Sequence, residues 1–218
     1  MSNLKLLTSA FSPYGQRVET LLLEKNISYS KEFIDLSNRP SWFSSVAPLG
    51  KIPVLLVDER PLFESLAILE YLEATYSENI LHPKNQFVLA WHRGWMEFSN
   101  TLLSFAFGLI FADNAQTIAQ KQQELKNKLA IFAEQLKYQP YFNGDFFSIL
   151  DITMASAMQP LLFLSERFHF NLFENLDGLL QYANNVVNRP NFIRSLPDNY
   201  SQIFESFLQR KNSFLLQL

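Results

Sequence analysis

The sequence predicts two parts in order: a small mixed α/β domain, then an all-helical domain. Three observations carry this. Short apolar runs bounded by turn residues alternate with helical patterns as far as about Tyr76. A polar stretch through Ser77, Asn79, His82-Pro83 and Asn85 then reads as a linker, and beyond it only the helical period recurs. The boundaries expected are 1–78 for the first domain, 79–86 for the linker and 87–218 for the helical domain. A length of 218 residues suits one or two domains, and 48% hydrophobic residues are ample for buried cores.

Leu4 to Thr8 is an apolar run that ends in Ser9-Ala10-Phe11-Ser12-Pro13, as a buried strand leaving the sheet does. Ser12 is a good N-cap and Pro13 suits a first helical turn, so a helix follows with Val18, Leu21, Leu22 and Lys25 at helical spacing. Ile27, Tyr29 and Phe33 alternate with polar residues and predict a second strand. Asn38-Arg39-Pro40 turns the chain into a short helix around Trp42 to Val46. Pro53 to Val57 and Pro61 to Phe63 make a hairpin across Asp58-Glu59-Arg60. From Glu64-Ser65 an amphipathic helix runs with Leu66, Leu69, Leu72, Tyr71 and Tyr76 placed to cover a sheet. The order β-α-β-α-β-β-α is a thioredoxin-like arrangement.

In the second part, helices are expected over Phe87 to about Phe111, Ala115 to Tyr138, Ile149 to Phe168, Leu176 to Asn188 and Tyr200 to Arg210, with Pro190 as a terminator of the fourth. Ser148-Ile149-Leu150-Asp151 is a capping box with Asp at its third helical position, and Phe147 and Ile152 sit at the staple positions. It reads as a folding device with no catalytic role.

Composition excludes several chemistries. The chain has no Cys, which removes disulfides, thiolate metal sites, CxxC redox chemistry and a cysteine nucleophile. His82, His92 and His169 are the only imidazoles and lack metal-ligand spacing, so no metal is expected. With 18 basic against 21 acidic residues there is no excess of positive charge to bind a nucleic-acid backbone. The most apolar run, Leu102 to Ala112, is shorter than the ~20 residues that span a bilayer, and Ser2-Asn3-Leu4-Lys5 is unlike a signal peptide. The expectation is a cytoplasmic protein that engages neither nucleic acid nor membrane.

Ser12-Pro13-Tyr14-Gly15-Gln16-Arg17-Val18, Lys51-Ile52-Pro53-Val54, Glu64-Ser65 and the Ser148/Asp151 box together resemble the cytosolic glutathione transferases, and most closely the tau-class serine enzymes. The resemblance covers essentially the whole chain and implies the glutathione transferase fold, a homodimer, and glutathione as co-substrate with no separate cofactor. It implies that Ser12 activates the glutathione thiol, that Lys51 pairs with the glycyl carboxylate, and that Glu64 and Ser65 receive the γ-glutamyl ammonium and carboxylate. It also implies a cis Pro53 that aims the Ile52 backbone at the peptide.

Read alone, Ser12 and Ser65 are equally helix caps, Lys51 a surface lysine and Pro53 a strand opener. Ser9, also at the strand exit, is a reserve thiol donor. Phe11, Trp95, Phe98 and Phe105 are the expected wall for a small hydrophobic electrophile, in a chain whose 21 Phe also have a core to fill. The alternative reading is a non-catalytic regulator associated with RNA polymerase, like stringent starvation protein A, which resembles this layout. The Ser12, Lys51, Ile52-Pro53, Glu64 and Ser65 set favours the enzyme, because a binding-only relative has no need of it.

Overall fold

The structure, a computed structural model, describes residues 2–136 and 140–218. The chain divides into two compact units: Met1–His82 with Pro190–Pro197, and Pro83–Arg189 with Asp198–Leu218.

The first unit contains β1 (Leu4–Thr8), α1 (Pro13–Glu24), β2 (Ser30–Phe33), α2 (Phe43–Val46), β3 (Val54–Val57), β4 (Arg60–Phe63) and α3 (Ser65–Thr75), in the order the sequence predicts. The four strands form one sheet in the order β2-β1-β3-β4, with β1 parallel to β2 and the other pairs antiparallel. The hairpin turn is tighter than expected. Only Asp58 and Glu59 make it, both at positive φ (48° and 67°), while Arg60 already pairs with Val57. Strand alternation sends side chains to both faces. Leu7 and Val54 bury with Ile34, Phe43 and Ala47 on the α2 side. Leu6 and Leu55 are fully buried on the other face, as are Val18, Leu21 and Leu22 of α1 and Ile68, Leu69 and Leu72 of α3.

A buried ion pair holds the chain after α3. Lys25 Nζ lies 2.7 Å from Glu73 Oε2 and donates to the carbonyls of Tyr76 and Asn79 at 2.7 and 3.0 Å. Glu73 Oε1 accepts the N–H groups of Leu81 and His82 at 2.7 and 2.9 Å. Each charge also meets backbone groups, and removing either partner would leave the other buried without its counter-charge.

The second unit is helical: α4 (Gln86–Ile110), α5 (Ala115–Ala133), α6 (Ile149–Arg167), α7 (Asp177–Val187), then, after α8 (Pro190–Ser195), α9 (Tyr200–Arg210) and a short 3-10 turn at Phe214–Gln217. The predicted end of the second of these helices, Tyr138, lies outside the described residues. Asn85 and Asn114 cap α4 and α5 by accepting N–H groups one turn in. Helix α6 runs on through Pro160, whose missing N–H and ring clash ordinarily break a helix. Here the flanking Ala157, Met158 and Leu161 are fully buried, so packing holds it. Helix α8 belongs to the first unit and was not expected. The sequence reading takes Pro190 as a stop, whereas Pro190 opens a new helix, as Pro does well at a first helical position. Ser195 Oγ then lies 3.2 Å from Thr20 Oγ1 of α1. No helix among the described residues is long and apolar enough to cross a membrane.

The buried tyrosines give an alkaline limit to stability. Burial raises the phenol pKa of Tyr182 and Tyr200, and partial burial that of Tyr29; Asp151 beside Tyr182 and Glu19 beside Tyr29 push the same way. A folded-state pKa above the unfolded value of about 10 leaves stability intact below pH ~10 and removes it as pH rises further, because the unfolded chain then ionises more readily. Melting temperature is therefore expected to hold from pH 7 to 9 and to fall steeply above pH 10, with phenolate absorbance appearing together with unfolding. Phenolate signal from all eight tyrosines in the still-folded protein would contradict this.

Candidate functional site

One end of the sheet collects the motifs. Leu7 pairs with Val54 and Val54 with Phe63, so these residues form a single row across β1, β3 and β4. The turn after β1, the segment before β3 and the residues after β4 therefore leave the sheet at the same end. They carry Ser12, Lys51-Ile52-Pro53 and Glu64-Ser65 respectively. Both α1 and α3 begin there, so two helix N-termini, the positive ends of the helix dipoles, face the same end, an arrangement that favours anions.

Ser12 is the N-cap of α1, 6% exposed, and its Oγ accepts the Gly15 N–H at 3.1 Å. The Ser12 N–H donates to the Ser9 carbonyl at 3.2 Å, closing the turn that Ser9 begins. A hydroxyl has two lone pairs and one proton, so accepting from Gly15 leaves the Ser12 O–H to donate elsewhere. Capping and donation to a ligand are thus compatible in one conformation. Gly15 is required for a reason the sequence reading missed: a Cβ there would stand 1.8 Å from Thr8 Oγ1, inside the buried β1–α1 junction.

The Ile52–Pro53 peptide is cis. The ladders to β1 and β4 begin at Val54, which leaves the Ile52 backbone outside them. Ser65 is buried at the first turn of α3, and Glu64 before it is exposed with φ 67° and ψ 113°. Such a backbone costs a non-glycine residue roughly 1–3 kcal/mol and is characteristic of ligand sites. Lys51 is exposed, and a second cation missed by sequence reasoning lies against the preceding residue: Arg39 Nη1 is 2.7 Å from where a Gly50 Cβ would be. Gly50 itself has φ 62°. No sequence pattern links positions 39 and 50, because α2 intervenes.

The expected aromatic residues are distributed differently. Phe11 is half-buried next to Ser12 in sequence. Trp95 and Phe98 belong to an aromatic cluster of the second unit: Trp95 has ring centroids 5.2 Å from Phe98 and 5.4 Å from Phe132, and Phe98 stacks on Phe132 at 6.3 Å. Phe105, also half-buried, lies two turns further along α4. Among the described residues no cluster of three or more His, Asp or Glu side chains could hold a metal ion.

Comparison with known proteins agrees with this layout. Residues 11–75 match the family described as glutathione S-transferase, N-terminal domain, and residues 96–190 match glutathione S-transferase, C-terminal domain. A probable glutathione S-transferase of Nicotiana tabacum is 30% identical over 153 residues, 70% of this chain and 68% of that protein. Glutathione S-transferase U22 of Arabidopsis thaliana is 25% identical over 202 residues, 92% of this chain and 93% of its own. Among solved structures, rice GST1 in complex with glutathione has a TM-score of 0.85 at 22% identity over 97% of both chains, a likeness of fold. With both domain families matched in chain order, and a relative at 30% identity over most of its length, the chain belongs to the glutathione S-transferase family.

Proposed function

We propose that the protein is a glutathione transferase whose Ser12 hydroxyl and α1 N-terminus stabilise the thiolate of bound glutathione for attack on a hydrophobic electrophile. The observation that carries this reading is the Ser12 hydroxyl: its oxygen caps the helix while its proton remains available at an anion-favouring end of the sheet. Hydrogen-bond donors directed at the sulfur favour its charged form and lower its pKa from the free value of about 8.5. Ser65 at the α3 N-terminus receives the γ-glutamyl carboxylate, Glu64 its ammonium and Lys51 the glycyl carboxylate. The Ile52 backbone pairs with the cysteinyl residue as an added strand would, beside cis Pro53. Catalysis then rests on orientation and on charge stabilisation. Phe11, Trp95, Phe98 and Phe105 supply apolar surface to the electrophile.

Detoxification in the cytoplasm is the role that this chemistry suits. A homodimer is proposed as well, supported by apolar side chains left in solvent: Phe63 on the edge strand β4, and Phe87 and Trp91 four residues apart on α4.

The reading predicts that glutathione raises the melting temperature in a dose-dependent way, by RT ln(1 + [L]/Kd) in free energy, about 2.7 kcal/mol at a hundredfold excess over Kd. Conjugation of an aromatic halide by the same preparation completes the test. No thermal shift at millimolar glutathione, together with capture of RNA polymerase, would replace it with the regulator reading.

A further inference from the structure

A small cavity lies on the other side of β1 from β3, within the first unit. Thr8, Ser9, Ala10, Gln16, Glu19, Lys31, Phe33 and Ser195 line it with Leu196 and Pro197, and it offers about 50 Å³ of space to water. One water needs about 10–15 Å³ of such space, so roughly three to five fit. Gln16 is 3% exposed, and neither its Nε2 nor its Oε1 has a hydrogen-bond partner among the described residues. A buried carboxamide left with one acceptor and two donor positions unmet costs about 1–3 kcal/mol per group, a burden native proteins relieve with ordered water. The neighbouring polar groups are bonded elsewhere. Glu19 Oε1 already accepts from Tyr29 and Lys31, at 2.8 and 2.7 Å. Thr20 donates to the Gln16 backbone carbonyl at 2.7 Å, and Ser195 donates to the Phe192 carbonyl at 2.7 Å.

We infer that this cavity is a built hydration site, a small water cluster joining the Gln16 carboxamide to the Thr8-Ser9-Ala10 segment and to Glu19, which makes Gln16 a positioning residue for Ser12. The link to Ser12 is short. Ser9 and Ala10 form the cavity wall and the start of the turn that the Ser12 N–H closes on the Ser9 carbonyl, and Gln16 N–H donates to the Ser12 carbonyl at 2.9 Å. Water beneath this turn fixes where the Ser12 hydroxyl stands. The polar cavity is far below the several hundred Å³ that an organic ligand requires. The role in catalysis rests on the Ser12 reading; the water cluster does not.

The test has two arms. A high-resolution crystal structure should show ordered waters bonded to the Gln16 carboxamide, and Gln16→Met, similar in length but without polar atoms, should lose them. A dry cavity, or a carboxamide bonded only to protein, overturns the hydration site. In kinetics, Gln16→Met is expected to lower kcat about tenfold and to move the midpoint of the pH–rate profile upward. KM for glutathione should stay within about twofold, and Gln16→Asn, which retains the carboxamide, should restore most of kcat. An unchanged kcat and midpoint in Gln16→Met overturn the positioning role. If Ser12→Ala also leaves both unchanged, the Ser12 reading has failed, and the crystallographic arm still decides the water cluster. Should Gln16→Met not fold, the wild-type crystal structure decides the water cluster, and the kinetics of Gln16→Asn decide the coupling through the same two readouts.

Discussion

Ser12→Ala is expected to lower kcat about 10²- to 10³-fold, the range found when a donor to a developing or stabilised anion is removed. Glutathione affinity should change little, because the proposed reading assigns the tripeptide's charged ends to Lys51, Glu64 and Ser65. The midpoint of the pH–rate profile should rise toward the free-thiol value of about 8.5 as the sulfur loses its donor. The substitution also removes a helix cap, since Gly15 N–H donates to the same oxygen at 3.1 Å, and a cap is worth about 1 kcal/mol. Two further variants separate the effects. Ser12→Asp caps a helix as well as serine but offers a thiolate no hydrogen-bond donor, so it should restore stability and remain inactive. Ser12→Thr keeps the hydroxyl and should retain much of the activity. A Ser12→Ala enzyme within about threefold of wild type would rule out the proposed mechanism, and Ser9 would then be the donor to examine.

Asp151→Ala is expected to cost about 4–5 kcal/mol of stability, at the upper end of what a single truncation does. The side chain is fully buried at the start of α6 and gathers four donors. Phe142 N–H and Tyr182 O–H reach Oδ1, both at 2.9 Å, while Ser148 N–H and Ser148 O–H reach Oδ2 at 2.8 and 2.7 Å. Alanine leaves two backbone amides and two hydroxyls unpaired in the interior, each costing about 1–3 kcal/mol. Part of this is returned because the carboxylate no longer has to be desolvated. In a chain of this size the loss corresponds to a melting temperature lower by about 8–20 °C. Asp151→Asn keeps one acceptor but turns an amide NH₂ toward donors, so it should fall between the two.

The pH dependence of this loss has a definite sign. Burial raises the Asp151 pKa above the ordinary 3.8, with the four hydrogen bonds opposing it. Its contribution is therefore complete below the unfolded pKa and declines as pH rises through the folded value. The gap between wild type and Asp151→Ala should be wider in mild acid than above neutrality. A loss under 1 kcal/mol in urea unfolding would show that the four donors find other partners.

The capping box also shows how a sequence motif and its structure can differ. Ser148-x-x-Asp151 locates the start of α6 correctly, and Phe147 and Ile152 flank it as a staple does. The spacing carries no information about Phe142 or Tyr182, nine residues before and 31 after the aspartate. These contacts tie the cap to the segment before α6 and to α7, and the Tyr182 bond depends on α7 packing beside α6.

The kinds and order of the elements, α8 apart, were legible in the sequence. Ser12-Pro13 fixed the start of α1, Asp58-Glu59-Arg60 the hairpin to within one residue and Ser148/Asp151 the start of α6, because caps, turns and periodicity act through neighbours within a few residues. The lack of cysteine likewise settled that any sulfur nucleophile must arrive with a ligand. Tertiary structure decided what depends on residues far apart in the chain. Register alone put Leu7, Val54 and Phe63 in one row and so brought Ser12, Ile52 and Ser65 to one end of the sheet. Packing returned α8 to α1, made Gly15 obligatory against Thr8, set Arg39 beside Gly50 and enclosed Gln16 without a partner among the described residues. Such outcomes depend on which surfaces meet, and a linear pattern of residue types does not encode that meeting.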